Sequence, residues 1–210
     1  MVNILIANPK GGSGKTTLST NLAGYFARRN EIVTLRDLDR QQSATRWIER
    51  RPGELPLIHS KNLKSKSQPI DSDWIITDSP AGLREEKLSD AVKQADCVIV
   101  PIQPSAFDIG ATSNFLDILI EEKAIRKNKT FVALVGVRVN SRTLSAISLA
   151  EFMAKADFEV LTYLRNAQAY VTAAEQGLSL FDMRNSVVEQ DLIQWNPLLD
   201  WVKNISANDK

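Results

Sequence analysis

The sequence predicts an α/β fold: a mostly parallel, twisted sheet with helices on both faces. Three observations carry that prediction. Short apolar runs of strand length alternate along the chain with segments whose apolar residues recur at helical spacing. A glycine-rich stretch, Asn8-Pro9-Lys10-Gly11-Gly12-Ser13-Gly14-Lys15-Thr16-Thr17, separates the first such run from the first helical segment. Aspartates close two of the strand-like runs, at the carboxyl ends where ligands sit in sheets of this kind.

Taken in order, residues 2–7 form an apolar strand, and Leu18, Leu22, Tyr25 and Phe26 mark a helix over 18–29. Residues 32–37 read as a second strand and 44–50 as a short helix stopped before Pro52. A weak strand is expected at 56–58. Residues 60–69, with Lys61, Lys64 and Lys66 among serines, are the most loop-like stretch, with a one- or two-turn helix as the alternative. Strands follow at 74–78, 97–102, 131–139 and 160–163; helices are expected at 84–94, 109–122, 143–156 and 168–176, the last closed by Gly177. Residues 188–205 read as helical in parts, interrupted near Pro197.

Composition bounds the function. At 210 residues the chain is long enough to bury one sizeable core without staples, and a single domain over 1–210 is expected. A net charge of +1 means that any basic face must be local. The single cysteine, Cys97, lies in a strand-like run, which leaves no disulfide framework or cysteine metal site and fits a reducing cytoplasm. The first residues form a strand rather than a secretion signal, and no apolar run approaches the ~18 residues of a membrane span.

The glycine-rich stretch carries chemistry. Glycines at 11, 12 and 14 let successive backbone N–H groups converge on one anion, and the helix that opens at Thr16 adds its unpaired amides and positive dipole end. Lys15 supplies a point charge for β/γ-phosphates, and the Thr16 hydroxyl is placed to ligate Mg²⁺. Strand, glycine-rich turn and helix in that order make a P-loop in its confirming context, so the fold expected is that of a P-loop NTPase. Asp37, Asp39 and Asp78 stand at strand ends beside it, where Mg²⁺ and an attacking water need them; turn or helix-cap chemistry is the alternative for each.

The loop departs from the ordinary G-x-x-x-x-G-K-[ST] pattern by holding Pro9 at the first glycine position and a second lysine, Lys10, after it. In this it resembles the deviant Walker A motif K-G-G-x-G-K-[TS] of the ParA/MinD family, which includes the nitrogenase iron protein. Asp78-Ser79-Pro80-Ala81-Gly82 is similar to the MinD branch. Asp37-Leu38-Asp39-Arg40-Gln41 resembles the D-x-D-P-Q motif of ParA proteins, with Arg40 in place of the proline, which puts that loop's rigidity in doubt. The segment 101–108 resembles a ParA stretch near the dimer face. Residues 139–142 resemble the N-S-R of the iron protein, and 163–170 a segment of small plasmid ParA proteins.

The resemblance implies an ATP- and Mg²⁺-dependent hydrolase that is slow alone and is stimulated by dimerisation and by a partner. Lys10, Lys15 and Asp39 are its catalytic residues, with Lys10 crossing a nucleotide-sandwich homodimer to the partner's phosphates and Asp39 orienting the water. Lys10, Gly11, Gly12, Ser13, Gly14, Lys15, Thr16, Thr17 and Asn140 bind ATP, Asn140 at the adenine, with a turn-forming asparagine as the alternative. Thr16, Asp39 and Asp78 serve Mg²⁺.

Small plasmid-type ParA proteins bind DNA non-specifically as the ATP dimer and segregate or position a cargo with a ParB-like or adaptor protein, and the cargo expected here is a plasmid or chromosome. Arg138, Arg142 and Arg165 are the candidate DNA contacts, provided that the last strands lie side by side. The location implied is cytoplasmic and nucleoid-associated when ATP-bound. The alternatives are a membrane-associated, MinD-like positioner and a ParA-like positioner of carboxysomes or chemoreceptor clusters. The C-terminal stretch lacks a basic amphipathic face, so it is expected to pack on the body and membrane binding is not expected. With the loop at residue 10, no N-terminal DNA-reading domain is expected either.

Overall fold

In the computed structural model, residues 1–62, 71–83 and 85–208 are described. Seven parallel strands form one sheet in the order β3-β2-β4-β1-β5-β6-β7. They are β1 (Val2–Ile6), β2 (Val33–Asp37), β3 (His59–Asn62), β4 (Trp74–Asp78), β5 (Cys97–Ile102), β6 (Phe131–Val139) and β7 (Glu159–Arg165). The helices between and after them are α1 (Lys15–Ala27), α2 (Ser43–Glu49), α3 (Glu85–Gln94), α4 (Ala106–Glu121), α5 (Lys123–Arg126), α6 (Leu144–Ala154), α7 (Gln168–Glu175) and α8 (Asn185–Asn208).

The sheet is buried on both faces, which is why its central strands read as continuous apolar runs rather than alternating ones. On one face Val2, Ile4, Val33, Leu35 and Ile76 pack against α1, α2, α7 and α8. On the other, Leu5, Val98, Val100, Leu134 and Val139 pack against α3, α4, α5 and α6. The central helix α1 is enclosed almost all round, with Leu18, Leu22, Phe26 and Ala27 fully buried. Gly24 lets it approach the 3-10 turn Leu180–Asp182, because a Cβ there would stand 2.2 Å from Ser179 Oγ.

The structure departs from the sequence reading most clearly at four places. In place of the weak strand expected at 56–58, β3 runs over His59–Asn62 and overlaps the start of the stretch expected to be a loop. Its polar residues belong to an edge strand held by parallel pairing to β2, from Thr34↔His59 to Asp37↔Asn62, a tertiary partner that no local apolar pattern announces. The rest of that loop-like stretch, with Lys64 and Lys66, lies outside the described residues, as do Arg84, Asp209 and Lys210. Next, β7 runs to Arg165, two residues beyond the expected end, because Val139 on β6 pairs there. Helix α4 starts at Ala106 because Ser105 caps it, accepting the Asp108 N–H at 3.1 Å. Finally, α8 is continuous through Pro197. Its buried face (Val188, Trp195, Leu198, Leu199, Val202, Ile205) belongs to the main core, and that packing outweighs the one helical hydrogen bond a proline removes.

Candidate nucleotide site

The loop 8–14 runs from the end of β1 into α1 and is tied down by residues far away in sequence. Buried Asn8 donates from Nδ2 to the Pro101 carbonyl (2.8 Å) and to Thr112 Oγ1 (3.0 Å), while its Oδ1 accepts the Lys10 N–H (2.8 Å). Gly82 donates its N–H to the Pro9 carbonyl (3.0 Å), and the Gln103 side-chain amide donates to the Gly12 carbonyl. Strand β5, helix α4 and the turn after β4 therefore all hold the loop in shape. Asn8 and Gln103 fall inside the glycine-rich stretch and the 101–108 segment, but the sequence assigns neither a role, because their partners lie about ninety residues away or more.

Gly14 precedes α1 with φ 92°, a left-handed conformation suited to glycine, and a Cβ would lie 3.2 Å from Val137. No side chain caps α1 and no acid sits in its first turn, so its leading amides and dipole end are left to an anionic ligand. The Lys15 ammonium is folded back into the loop, donating to the carbonyls of Asn8 (3.1 Å) and Lys10 (2.8 Å) and to Ser13 Oγ (3.3 Å). Burial lowers its pKa from the ordinary lysine value, against the opposing pull of the Asp78 and Asp39 carboxylates. Lys10 differs: half-buried at the loop edge, its ammonium makes no hydrogen bond or ion pair among the described residues.

Asp78 lies at the end of β4 beside the loop. Its Oδ2 accepts the Thr16 hydroxyl (2.7 Å) and its Oδ1 the Ser19 hydroxyl (3.2 Å). Burial pushes its pKa up to about 7, the Thr16 hydrogen bond opposes the rise, the Asp37 charge adds to it, and Lys15 and Ser19 oppose it. The hydroxyl of Ser79, next in sequence and buried, has no hydrogen-bond partner among the described residues. Thr16, Asp78 and this spare hydroxyl are hard oxygen donors that fit Mg²⁺, an ion that takes few protein ligands and completes its shell with water and phosphate oxygens. Consistently, no three carboxylate, imidazole or thiol groups gather into a metal cage among the described residues.

The two aspartates after β2 divide their tasks. Asp37 is structural: its Oδ1 accepts the Asp39 N–H (3.0 Å), and its Oδ2 accepts the N–H and hydroxyl of Thr45 in the first turn of α2. Asp39, half-buried, faces Lys15 closely enough to oppose the lowering of that lysine's pKa by burial. Hydrogen bonds supply the rigidity that a proline at position 40 would give, with the Gln41 N–H donating to Asp39 Oδ1 (2.9 Å) and the Gln42 N–H to the Asp39 carbonyl (3.1 Å).

The candidate metal and phosphate groups lie toward β2 and β4, which leaves the side toward β6 and β7 as the candidate path for a nucleoside. A cleft of about 30 Å³ lies there, lined by Gly14, Thr17, Leu18, Val137, Arg138, Leu164, Arg165, Asn166 and Tyr170. An irregularity in the β6–β7 register between Gly136 and Val139 accompanies φ 54° at Arg138, and bulges of this kind re-aim side chains. Asn140 does not line the cleft. It is exposed after β6, where its Oδ1 accepts the Arg142 N–H (3.3 Å) and its carbonyl accepts from Thr143, the hydrogen bonds of a turn. Asn166 lines the cleft, three residues beyond the end of the strand expected at 160–163. A second cleft, about 840 Å³, lies beneath the Asp39 loop and against α3, with none of residues 8–17 in its wall.

Strands β6 and β7 do lie side by side, which brings Arg138, Arg142 and Arg165 to one edge. Arg138 and Arg142 are exposed. The Arg165 guanidinium is paired with Asp191 of α8.

Fold and site together define a P-loop nucleotide-binding domain. More narrowly, the chain belongs to the CobQ/CobB/MinD/ParA nucleotide-binding family, whose model matches residues 4–181. Two proteins named maintenance of carboxysome distribution protein A are similar over 86% of this chain. One, from Halothiobacillus neapolitanus, is 28% identical over 87% of its own length. The other, from Gloeobacter kilaueensis, is 30% identical over 84%. A protein assigned to plasmid partition in Borrelia burgdorferi, solved with AMPPNP, shares the fold with a TM-score of 0.72 at 17% identity, over 95% of this chain and 98% of that one.

Proposed function

We propose that this protein is an ATP-hydrolysing positioning switch, which dimerises around ATP, binds DNA without sequence preference in that state, and is released when an adaptor stimulates hydrolysis. One observation carries the reading: Lys15 is enclosed by its own loop, whereas Lys10 stands at the rim with its charge unpaired. A cation there is badly placed for its own phosphates and well placed for those of a second copy, as an arginine finger is.

On binding ATP, Lys15 exchanges loop carbonyls for β/γ-phosphate oxygens, and Thr16 and Asp78 are the residues that would hold Mg²⁺. Mg²⁺ supplies charge neutralisation at the phosphates. Asp39 orients the attacking water, and Lys10 of the opposite copy completes the site. Asn166 meets the base. Arg138 and Arg142 offer their charge to DNA phosphates, while that of Arg165 is engaged by Asp191. The cargo is a protein assembly or a plasmid. Relatives named for carboxysome distribution favour the first and the shared fold of a plasmid partition protein accommodates the second.

Sedimentation on random-sequence DNA with ATP, ADP or no nucleotide tests the reading. Binding should need ATP and fade with salt. Lys10→Ala should stay monomeric, and Asp39→Ala should hold a stable ATP dimer with turnover reduced about a hundredfold or more. Turnover like the parent's in both variants would refute these roles, and ATP-dependent binding to liposomes instead of DNA would point to a membrane-associated positioner.

A further inference from the structure

The wall of the nucleoside cleft is braced from behind by one face of α8. Asp191, with no exposed side-chain surface, accepts Arg165 Nε on Oδ1 at 2.6 Å and Nη2 on Oδ2 at 2.9 Å. Gln190 Oε1 accepts the remaining arm, Nη1, at 3.2 Å, and Gln194 Oε1 accepts the Arg165 backbone N–H at 2.9 Å. One residue further, Trp195 donates its indole N–H to the Tyr170 hydroxyl at 3.0 Å. Positions 190, 191, 194 and 195 fall on one side of a helix. All four reach Arg165 or Tyr170, and those two residues line the cleft with Asn166 between them.

The brace is pinned in turn. Thr162 Oγ1 donates to the Gln194 carbonyl at 2.7 Å, one residue from the Ile193 carbonyl that Pro197 deprives of its helical donor. A bidentate guanidinium–carboxylate pair fixes direction as well as distance. It therefore sets where the backbone of residues 165–167 stands relative to Gly14 and Thr17.

We infer that Asp191, acting through Arg165, is a positioning residue for the nucleoside end of the bound nucleotide, and that Arg165 belongs to this brace rather than to a DNA-contacting surface. The inference rests on the nucleotide-binding reading of the site. It extends that reading to α8, whose residues lie beyond the span matched by the family model.

The test uses Arg165→Lys, which keeps the charge and loses the fork, and Asp191→Asn, which keeps the shape and loses the charge. ATP and inorganic tripolyphosphate, each with Mg²⁺, are titrated against parent and variants, and melting temperatures are recorded without ligand. Each variant should bind ATP about tenfold more weakly, tripolyphosphate should bind as it does to the parent, and the double variant should be no worse than either single one. Equal losses for ATP and tripolyphosphate would overturn the inference, because the defect would then reach the loop amides or the whole fold. Unchanged ATP affinity with reduced DNA binding in Arg165→Lys would overturn it in favour of a DNA contact. Should Asp191→Asn fail to fold, Arg165→Lys, whose side chain is 41% exposed, decides alone. A parent that bound neither ATP nor tripolyphosphate would instead remove the nucleotide-binding reading itself.

Discussion

The carboxyl of Asp78 receives two hydroxyl hydrogen bonds and lies within range of one ammonium, yet its burial outweighs all three, and its pKa stands near 7 against an ordinary 3.8. A raised acid pKa means that the folded protein holds the proton more tightly than the unfolded chain does. The stability so contributed is present in full below about pH 4 and is lost as pH rises through about 7. Urea denaturation of the protein without nucleotide or Mg²⁺ should show parent stability falling between those limits relative to Asp78→Asn. Parallel curves would mean that the carboxylate is already ionised throughout. Asp37 and Asp39 show how little residue type alone decides: two residues apart, one caps a helix and the other faces the phosphate lysine.

At the scale of elements, α2 carries the Asp39 loop at its start and is anchored at its end. Arg51, just after α2, pairs with Asp182 in the 3-10 turn at 2.8 Å, both side chains being almost wholly buried. Burial alone would raise the Asp182 pKa, but the hydrogen bonds from Arg51 and Ser179 bring it below the ordinary value. Trp47 adds a hydrogen bond to the Leu178 carbonyl (3.0 Å), and Gly177, at φ 68°, lies against the backbone of Arg50 and Arg51, where a Cβ would come within 2.5 Å of the Arg50 carbonyl carbon. Removing one partner of such a pair leaves a buried charge uncompensated. Asp182→Ala should therefore cost about 3 kcal/mol in chemical denaturation, whereas losing the exposed pair Lys93–Asp90 should cost under about 0.5 kcal/mol. A cost below about 1 kcal/mol for Asp182→Ala would show that the junction relaxes.

For the molecule as a whole, the nearly even charge balance makes the proposed binding to DNA a matter of a few placed cations. Removing one cation from a DNA phosphate lowers the slope of log affinity against log salt by about 0.9. Arg142→Ala, at an exposed turn, should lower that slope by about 1 and weaken binding equally on all sequences. An unchanged slope would remove Arg142 from the proposed DNA contacts. Sheet order bears on this prediction, because β6 and β7 pair and bring the three arginines to one side of the phosphate loop.

The amino-acid sequence by itself determined the α/β class, most of the elements and the phosphate loop. These rest on local physics: helical or strand periodicity, and ten contiguous residues whose glycines, lysine and threonine act through backbone geometry and their own side chains. Even the carboxylate at Asp78 was legible, because an apolar run delivers it to a strand end. Only the tertiary structure decided what depends on partners far along the chain. Asn8 anchors the loop to residues more than ninety positions away, and β3 exists because β2 pairs with it. Helix α8 continues through a proline because its apolar face is buried, and the charge of Arg165 turns inward because Asp191 lies behind it. The physical reason is the same each time: a long-range contact overrides a local preference of about the energy of one hydrogen bond, and no window of sequence contains both of its ends.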